Sequence, residues 1–340
     1  MLPRSSFRPR LGLATVLVVG SALASALLVG GARSAGQASG LIAFTRADGL
    51  YVMRSDGTGV HRIKSAGPEA LYGGGAAWSP DGSRLVFATW NGIWLMDADG
   101  RHQVRVATGG RTYWIGVKPN RRLFYPRATY FGSPTWSPDG RRIALTAFQG
   151  VENRDVWIMN ADGSDRHRLE KTPYFEGEVD WSPVGGRLVF DSGSWVSDVY
   201  VIRTNGTGMR NLTPGGGWVG SGQPTWSADG KRIAFARPSG IWVMDASGRA
   251  PANLTRHKLD GMPDWSPDGR KIAFVRKLVF EKGTSPAARD ASSEIYVMNA
   301  DGTGVKRLTH NRVGEGSPAY SDGPIQLSPE ERPSRRDLLK

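Results

Sequence analysis

Three acidic residues occupy the same place in a repeated phrase of the sequence and could bind a cation together. A glycine stands four residues before each of six aromatic residues: Trp78, Trp136, Trp181, Trp226, Trp265 and Tyr320. The residue before that glycine differs between the copies, and in three of them it is Glu176, Asp260 or Glu315. Calcium takes about 6 to 8 oxygen ligands, which carboxylates from several loops can supply. The sequence therefore makes Glu176, Asp260 and Glu315 a candidate metal site, with calcium as the candidate ion.

Two other interpretations of these acids stay open. They could bind the basic end of a partner, or they could be solvated loop residues whose charge Arg256 and Arg312 balance. The chain has no contiguous D-x-D-x-D-G loop, which is the usual sequence signature of a calcium-binding loop. The calcium site therefore depends on the fold bringing the three acids together.

The residues needed for catalysis are few. The chain has no cysteine, which excludes thiol catalysis and cysteine metal ligands, and its five histidines lie far apart in the sequence. It also lacks H-E-x-x-H, a phosphate-binding P-loop and a dinucleotide fingerprint. An extracytoplasmic hydrolase or lyase that uses Glu176, Asp260 or Glu315 as a general base is the alternative from another class of function. We expect a non-enzymatic binding protein, with no catalytic residue and no cofactor besides calcium.

A segment that mixes aromatic and basic residues, 107–131, is a second candidate site. Six of its residues are predicted to contact a partner: Tyr113, Trp114, Arg121, Arg122, Phe124 and Tyr125. Aromatic side chains beside arginine are typical of the residues that dominate protein interfaces. The expected partner is an envelope or extracellular protein, or an anionic ligand. The segment could equally be an extra hairpin that covers the outer edge of a sheet, and the sequence leaves both interpretations open.

An internal repeat positions these residues. The six aromatic residues are 39 to 58 residues apart, and each opens the phrase W-S-P-D-G or a variant of it. In each copy a short strand ends at the aromatic residue and is followed by a turn and an apolar second strand. A third strand with an aromatic residue in a fixed place comes next, and an Asn/Asp/Ser-Gly turn connects it to a polar fourth strand. Four strands in about 40 to 45 residues indicate one blade of a β-propeller. The repeated glycine predicts a shared backbone turn before the first strand.

The two ends of the repeat region predict a sixth, composite blade. Residues 41–63 supply a second, third and fourth strand, and the last copy supplies a first strand that ends at Tyr320. With five complete copies, this gives an all-β, six-bladed propeller of four-stranded antiparallel blades, closed by strands from both termini. Residues 324–327 compete with residues 41–46 for the second strand of this blade. Because the first strands of a propeller line its channel, the three acids should gather at one mouth.

The repeated phrases resemble a known family. W-S-P-D-G-x-x-I-A-F, followed by I-W-V-M-D-A and N-L-T or similar letters, is similar to the TolB-like propeller repeat, a relative of the WD-type repeats, over about residues 41–323. The resemblance implies an exported propeller that acts as a protein-binding scaffold in the cell envelope. In TolB an α/β domain precedes the propeller, whereas here the repeats follow the leader directly. Similar propellers also cap serine peptidases, but the chain has no G-x-S-x-G motif.

The first 38 residues read as a secretory signal peptide or a signal anchor. A basic start is followed by an uncharged apolar run, residues 11–31, and then by small residues. Either interpretation predicts an exported propeller, residues 41–327, in the periplasm or outside the cell. It would contact the membrane only through an uncleaved leader, and a polar tail, residues 328–340, follows it. The formal net charge of +13 suits anionic surroundings or simply solubility. Nucleic acid is not expected as a partner, because the arginines are scattered over turns.

Overall fold

The computed structural model describes residues 40–65, 71–109, 130–148, 154–170, 172–193, 196–215, 221–277, 293–310 and 314–321. Its regular secondary structure in these residues consists of strands, all within the unit Ala38–Lys340. Over the same ranges, no helix has the length and apolarity to cross a membrane. The predicted leader and the predicted polar tail lie outside the described residues.

The strands form six antiparallel sheets of four strands, which we call blades 1 to 6. Blade 1 consists of β4 (Leu71–Trp78), β5 (Arg84–Thr89), β6 (Gly92–Asp97) and β7 (Val104–Thr108). Blade 2 consists of β8 (Tyr130–Trp136), β9 (Arg142–Phe148), β10 (Arg154–Asn160) and β11 (His167–Arg168). Blade 3 consists of β12 (Phe175–Trp181), β13 (Arg187–Gly193), β14 (Ser197–Arg203) and β15 (Arg210–Asn211). Blade 4 consists of β16 (Gly222–Trp226), β17 (Arg232–Arg237), β18 (Gly240–Asp245) and β19 (Ala252–Asn253). Blade 5 consists of β20 (Asp260–Trp265), β21 (Lys271–Lys277), β22 (Ser293–Asn299) and β23 (Lys306–Arg307). Blade 6 consists of β24 (Glu315–Tyr320), β1 (Leu41–Arg46), β2 (Gly49–Arg54) and β3 (His61–Ser65).

Blade 6 combines both ends of the repeat region, as predicted. Its first strand, β24, pairs antiparallel with β1, with Ile42 opposite Tyr320. The backbone N–H of Leu41 also donates to Ser321 Oγ at 3.0 Å. Residues 41–46 therefore form the second strand of this blade, while the competing segment 324–327 lies outside the described residues. The six-bladed, all-β propeller closed by strands from both termini is confirmed.

The W-S-P-D-G phrase is structural in every blade that has it. In blade 1 the Asp81 carboxylate accepts from Ser79 Oγ at 2.6 Å and from the backbone N–H of Ser83 at 3.0 Å, and Gly82 takes a φ of 70°. These hydrogen bonds, led by that from Ser79, hold the pKa of Asp81 below its usual value. The same pattern recurs at Asp139, Asp229 and Asp268. The turn aspartates therefore fix the backbone of the turn.

The repeated tryptophans join neighbouring blades. Trp136 of blade 2 is buried in one cluster with Val86 and Ile93 of blade 1. The guanidinium of Arg84, from blade 1, lies 5.2 Å from the centroid of the same ring. Equivalent arginines cover the Trp181 and Trp265 rings from the preceding blade. The first strand of each blade is thereby packed against the blade before it.

The two ends of the strands form two different faces. The W-S-P-D-G turns connect first to second strands, so they share one face, the turn face, with the turns between third and fourth strands. Antiparallel pairing places the other connections, from second to third strands and from each fourth strand to the next blade, at the opposite end, which we call the variable face. The start of every first strand, and hence Glu176, Asp260 and Glu315, lies at the variable face.

Candidate functional site

The first strands of the six blades form the inner ring of the propeller. Each inner strand contacts the inner strand of the next blade, in the order β24, β4, β8, β12, β16, β20 and back to β24. One position on these strands, immediately before the repeated aromatic residue, differs between the blades. In chain order its occupants are Ala77, Thr135, Asp180, Thr225, Asp264 and Ala319. Polar and apolar residues are therefore unevenly distributed around the inner ring.

Asp180 ties blade 3 to both of its neighbours. Its Oδ1 accepts from Thr135 Oγ1 of blade 2 at 3.2 Å, and its Oδ2 accepts from Thr225 Oγ1 and from the Trp226 backbone N–H of blade 4, at 3.2 and 2.8 Å. The carboxylate lies deep in the protein, with part of the residue open to the channel. Burial raises the pKa of Asp180 above its usual value, against the hydrogen bonds from Trp226, Thr135 and Thr225.

Asp264 makes the corresponding contacts one further step around the ring. Its Oδ2 accepts from the backbone N–H of Tyr320 in blade 6 at 2.7 Å, and its Oδ1 lies 3.4 Å from Thr225 Oγ1 in blade 4, whose single proton it shares with Asp180. Together with Asp180, it forms a hydrogen-bonded chain through the inner strands of blades 2 to 6. The sequence pattern gives no sign that these two acids bridge blades.

Two of the three predicted metal ligands are held by arginines of their own blade. Glu315 Oε1 accepts from Arg46 at 2.9 Å (Nε) and 2.6 Å (a terminal nitrogen), and Asp260 accepts from Arg276 at 2.6 and 2.8 Å in a two-point contact. Both carboxylates are buried. The Arg276 guanidinium also lies 4.7 Å from the Tyr296 ring centroid. Arginine therefore neutralises the acids of blades 5 and 6.

Glu176, the third predicted ligand, has a different environment. It is 1% exposed and accepts the backbone N–H of Val156 at Oε2, while Arg154 donates only to its backbone carbonyl. Within the described residues, Glu176 Oε1 and the hydroxyl of the cross-strand neighbour Ser192 have no hydrogen-bond partner. Burial raises the pKa of Glu176 to about 7, although hydrogen bonds from Thr172 and Val156 oppose the shift. At the same repeat position, blade 3 thus has a buried carboxyl group without an arginine.

The structure places the three predicted ligands in three separate blades. Over the described ranges, no group of three or more histidine, aspartate or glutamate side chains is arranged to hold a metal ion. The calcium site formed by Glu176, Asp260 and Glu315 stays a prediction. Residues 311–313, which include Arg312, lie outside the described residues, and Arg276 rather than Arg256 pairs with Asp260.

Asp191 is a site residue that the sequence analysis missed. It lies on β13 directly after Phe190, where the other blades have Thr45, Ala88, Thr146, Ala236 and Val275. Its Oδ1 accepts the backbone N–H groups of Glu178 at 2.8 Å and of Gln223, in blade 4, at 3.3 Å. Burial, and then the charge of Glu178, raises the pKa of Asp191 well above its usual range. The letters F-D-S at 190–192, against F-A or F-V in three other blades, are the signal that could have found it.

Asp191 also explains one of the repeated glycines. A Cβ at Gly177 would overlap the Asp191 carboxylate, so this position needs the absence of a side chain. The predicted backbone irregularity exists, but the left-handed residue is the next one along the chain. It has a positive φ in five blades, at Gly75, Ser133, Gln223, Met262 and Ser317. Each inner strand therefore bulges at this point, which breaks the register with the second strand.

Exposed aromatic residues lie on the variable face, two of them at the start of the blade 3 inner strand. Tyr174 and Phe175, at the start of β12, are 45% and 46% exposed. The Phe175 ring lies 6.0 Å from that of Phe148, at the end of β9. Trp90, in the connection between β5 and β6, lies on the same face and is 38% exposed. The six partner-binding residues predicted in 107–131 lie outside the described residues, whereas β7 ends and β8 begins at the variable face.

Comparison with known proteins identifies the repeat. A family model described as the TolB β-propeller domain matches residues 120–285. The chain is a TolB-like β-propeller. The Tol-Pal system protein TolB of Alcanivorax borkumensis is 39% identical over 56 residues, which is 16% of this chain and 13% of that protein. TolB of Francisella tularensis is 28% identical over 192 residues, 54% of this chain and 41% of that protein. The solved structure of TolB from Acinetobacter baumannii has a TM-score of 0.64 at 22% identity, over 83% of this chain and 66% of that chain.

The similarity to TolB covers the propeller and not whole proteins. The matches span 13%, 27% and 61% of the lengths of the first three curated relatives. At 22% identity, the structural similarity to TolB shows the fold alone. Asp180, Asp191 and Asp264 fall inside the region that the TolB domain model matches, whereas Glu315 lies beyond it.

Proposed function

We propose that this TolB-like propeller is a non-enzymatic scaffold of the cell envelope that binds a segment of a protein partner at the channel mouth on the variable face. One observation carries the proposal. On the blade 3 side of that mouth, exposed aromatic rings stand beside Glu176 and Glu178, which form no ion pair among the described residues. Blades 5 and 6 pair their acids with arginine, whereas on blade 3 the nearby Arg154 donates to the backbone carbonyl of Glu176 and leaves the partly exposed Glu178 available to a partner.

The chemistry of this side of the mouth favours a basic, extended segment. Glu178 is partly exposed on β12, next to Glu176 and above Asp180 on the same strand. A lysine or arginine that enters here would meet Glu178, and its charge would favour the ionised form of Glu176, whose pKa burial raises to about 7. Tyr174 and Phe175 would cover the aliphatic part and the charge of the entering side chain. Rigid aromatic residues at a mouth with fixed backbone geometry are a common basis of protein recognition. The relatives named Tol-Pal system protein TolB support an envelope partner.

Export is part of the same proposal. The leader at 1–38, cleaved or retained as an anchor, would place the propeller in the periplasm or outside the cell. The six residues Tyr113, Trp114, Arg121, Arg122, Phe124 and Tyr125 would extend the interface from the same face. Deleting residues 111–127 should abolish partner capture and leave the melting temperature unchanged; a lower melting temperature would instead favour the hairpin that covers a sheet edge.

The experiment that tests the mouth is site-specific photo-crosslinking in envelope fractions. A photoreactive residue at Phe175 should give one recurring adduct, identified by mass spectrometry, which Glu178→Gln weakens and which a lysine-rich peptide displaces. The matched control carries the photoreactive residue at Val184, which is 72% exposed on the turn face. Equal adducts at both positions, or insensitivity to Glu178→Gln, would remove the mouth as the binding site.

A hydrolase or lyase remains the second candidate, because carboxyl groups with raised pKa values often mark active sites. Glu176, whose pKa is raised to about 7, is the group suited to act as a general acid or base near neutral pH. Asp260 and Glu315 are engaged by arginines. An enzyme should lose turnover of its substrate in Glu176→Gln with folding unchanged, whereas a scaffold should keep its partner. Calcium among Glu176, Asp260 and Glu315 is tested by calorimetric titration; no heat and no change in melting temperature would remove it.

A further inference from the structure

A second, oppositely charged site lies on the variable face between blades 4 and 5. A cleft of about 450 Å³ opens there, lined by Ser239, Asn253, Arg256, His257, Lys258 and Leu259. Its walls are the connection between β17 and β18 and the segment that leads from β19 into β20. The lining contains three consecutive basic residues and no carboxylate. Its volume falls within the range of about 300 to 1,000 Å³ that small-molecule sites occupy.

The two cationic side chains of this cleft, Arg256 and Lys258, are available to bind a ligand. Among the described residues, Arg256 and Lys258 form no ion pair, and both side chains are exposed. The sequence offered Arg256 as the counter-charge of the nearby acid, but Arg276 makes that pair with Asp260 through two hydrogen bonds. Arg256 therefore keeps an uncompensated positive charge at the edge of a concave surface.

The backbone of the cleft is fixed before any ligand arrives. Asn253 accepts the backbone N–H of Arg256 at 2.9 Å and donates to the carbonyl of Ser239 at 3.0 Å, which joins the two walls. Arg256 itself has a φ of 49°, a left-handed conformation that is rare for a residue with a long side chain. Fixed walls reduce the entropy lost when a ligand binds.

His257 adds a third polar group. Its Nδ1 lies 3.2 Å from Asp260 Oδ1 and 3.4 Å from the backbone nitrogen of Leu259, so these two groups hold the imidazole ring in place while Arg276 neutralises Asp260. The imidazole is about two-fifths exposed. Leu259 supplies an apolar wall. Two cations, an oriented imidazole and an apolar contact together suit an anionic group carried on a small organic frame.

We propose that this cleft binds an oxyanion, a phosphate or a carboxylate, through Arg256, Lys258 and His257. The site is independent of the acidic mouth proposed for the protein partner, because it lies one blade further along and has the opposite charge. Its ligand chemistry is shared by phosphorylated and carboxylated small molecules, and probes of each kind separate the two sources.

The test is a titration of the folded protein with inorganic phosphate and, separately, with glutarate, at constant low ionic strength. Backbone amide resonances of residues 253–259 should shift in a saturable way with one probe or both, and the probe with the higher affinity identifies the source. The double variant Arg256→Gln/Lys258→Gln should lose at least about tenfold in affinity, since each charge-assisted contact contributes to binding. Raising the salt concentration should weaken binding in the unaltered protein.

The matched control is Arg141→Gln/Arg270→Gln, which removes two exposed arginines from the turn face. It should bind both probes as the unaltered protein does. Equal affinity in the cleft variant and the control, or saturable shifts only outside residues 253–259, would overturn the proposal. Both variants change exposed side chains, and unchanged melting temperatures confirm that they fold; if Arg256→Gln lowers the melting temperature, Lys258→Glu alone serves in its place. Both probes are small anions and do not test binding of a protein, so an absence of binding in the cleft would not contradict the proposed partner site at the mouth.

Discussion

The Glu176→Gln substitution should stabilise the propeller at neutral and alkaline pH. The pKa of this carboxyl group is raised from 4.5 to about 7 by burial. Between these two values the folded protein holds a proton that the unfolded chain has released. The free energy of unfolding therefore falls as the pH rises from about 4.5 to about 7, and it levels off above that. Glutamine, which is neutral at every pH and similar in shape, removes this loss.

The size of the effect follows from the shift. One pKa unit corresponds to about 1.36 kcal/mol, so a rise from 4.5 to about 7 corresponds to about 3 kcal/mol. The variant and the unaltered protein should be about equally stable near pH 4.5. At pH 8 the variant should be more stable by up to about 3 kcal/mol. The gain is reduced by the cost of burying an amide nitrogen at the position of Oε1, which has no hydrogen-bond partner within the described residues.

The equivalent residue of blade 6 supplies a matched control with the opposite sign. Glu315 is as buried as Glu176 but accepts two hydrogen bonds from Arg46. Glu315→Gln leaves that arginine without its counter-charge and should destabilise the protein at pH 8 by about 3 kcal/mol. This value is the lower end of the cost of breaking a buried ion pair, and it applies because the Arg46 side chain is 16% exposed. Urea unfolding followed by tryptophan fluorescence, at several pH values between 4.5 and 8.5, measures both variants. Parallel pH curves for Glu176→Gln and the unaltered protein, or destabilisation at pH 8 equal to that of Glu315→Gln, would refute the reasoning.

Three further predictions concern the inner ring and its closure. Asp180→Ala removes the acceptor of two hydroxyls and one backbone N–H and should lower the free energy of unfolding by about 3 kcal/mol, whereas Asp180→Asn, which keeps an acceptor, should cost about 1 kcal/mol; urea unfolding at pH 7 compares them. Gly177→Ala should destabilise by about 2 kcal/mol through overlap with the Asp191 carboxylate, and adding Asp191→Ala should relieve that cost; no relief would show that the clash lies elsewhere. Deleting residues 314–340 removes β24, exposes the edge of β1 and should abolish cooperative thermal unfolding, while deleting only 328–340 should not.

The repeat was sufficient to predict the fold, because every blade needs the same strand, turn and packing residues. The composite blade followed from the same pattern, since only a strand ending at Tyr320 could complete residues 41–63. Pairings between blades were harder to predict. The contact of Asp180 with Thr225 joins residues 45 positions apart and depends on how neighbouring inner strands meet at the channel. No local pattern in the sequence encodes that relation.

The pairing of acids with arginines was within reach of the sequence but needed the register of the strands. Asp260 lies opposite Arg276, and Glu315 lies opposite Arg46, so these pairs follow once the first and second strands are aligned. The bulge in each inner strand shifts that alignment, and it cannot be placed from residue types alone, because Ser133, Gln223 and Met262 all accept the left-handed conformation there. From the residue types alone, Arg256 and Arg312 were the candidate counter-charges, whereas the aligned strands pair the two acids with Arg276 and Arg46.

Differences between equivalent positions locate the surfaces that are free to bind. At the position before the repeated glycine, blades 5 and 6 pair their acid with arginine, and blade 4 has Ser221, which accepts a hydrogen bond from Arg237 at 2.8 Å. In blade 3, Glu176 forms no ion pair among the described residues, and Glu178 on the same strand adds a partly exposed carboxyl group. The connection from blade 4 to blade 5 carries Arg256 and Lys258 at the same face, and in the part of the chain that the structure describes neither forms an ion pair. Since blades 3, 4 and 5 are consecutive, the two proposed sites together would require a ligand that spans them to carry its positive group toward blade 3 and its negative group toward the cleft. A partner with the reverse order of charges would meet like charges at both sites, which gives the variable face a direction as well as a location.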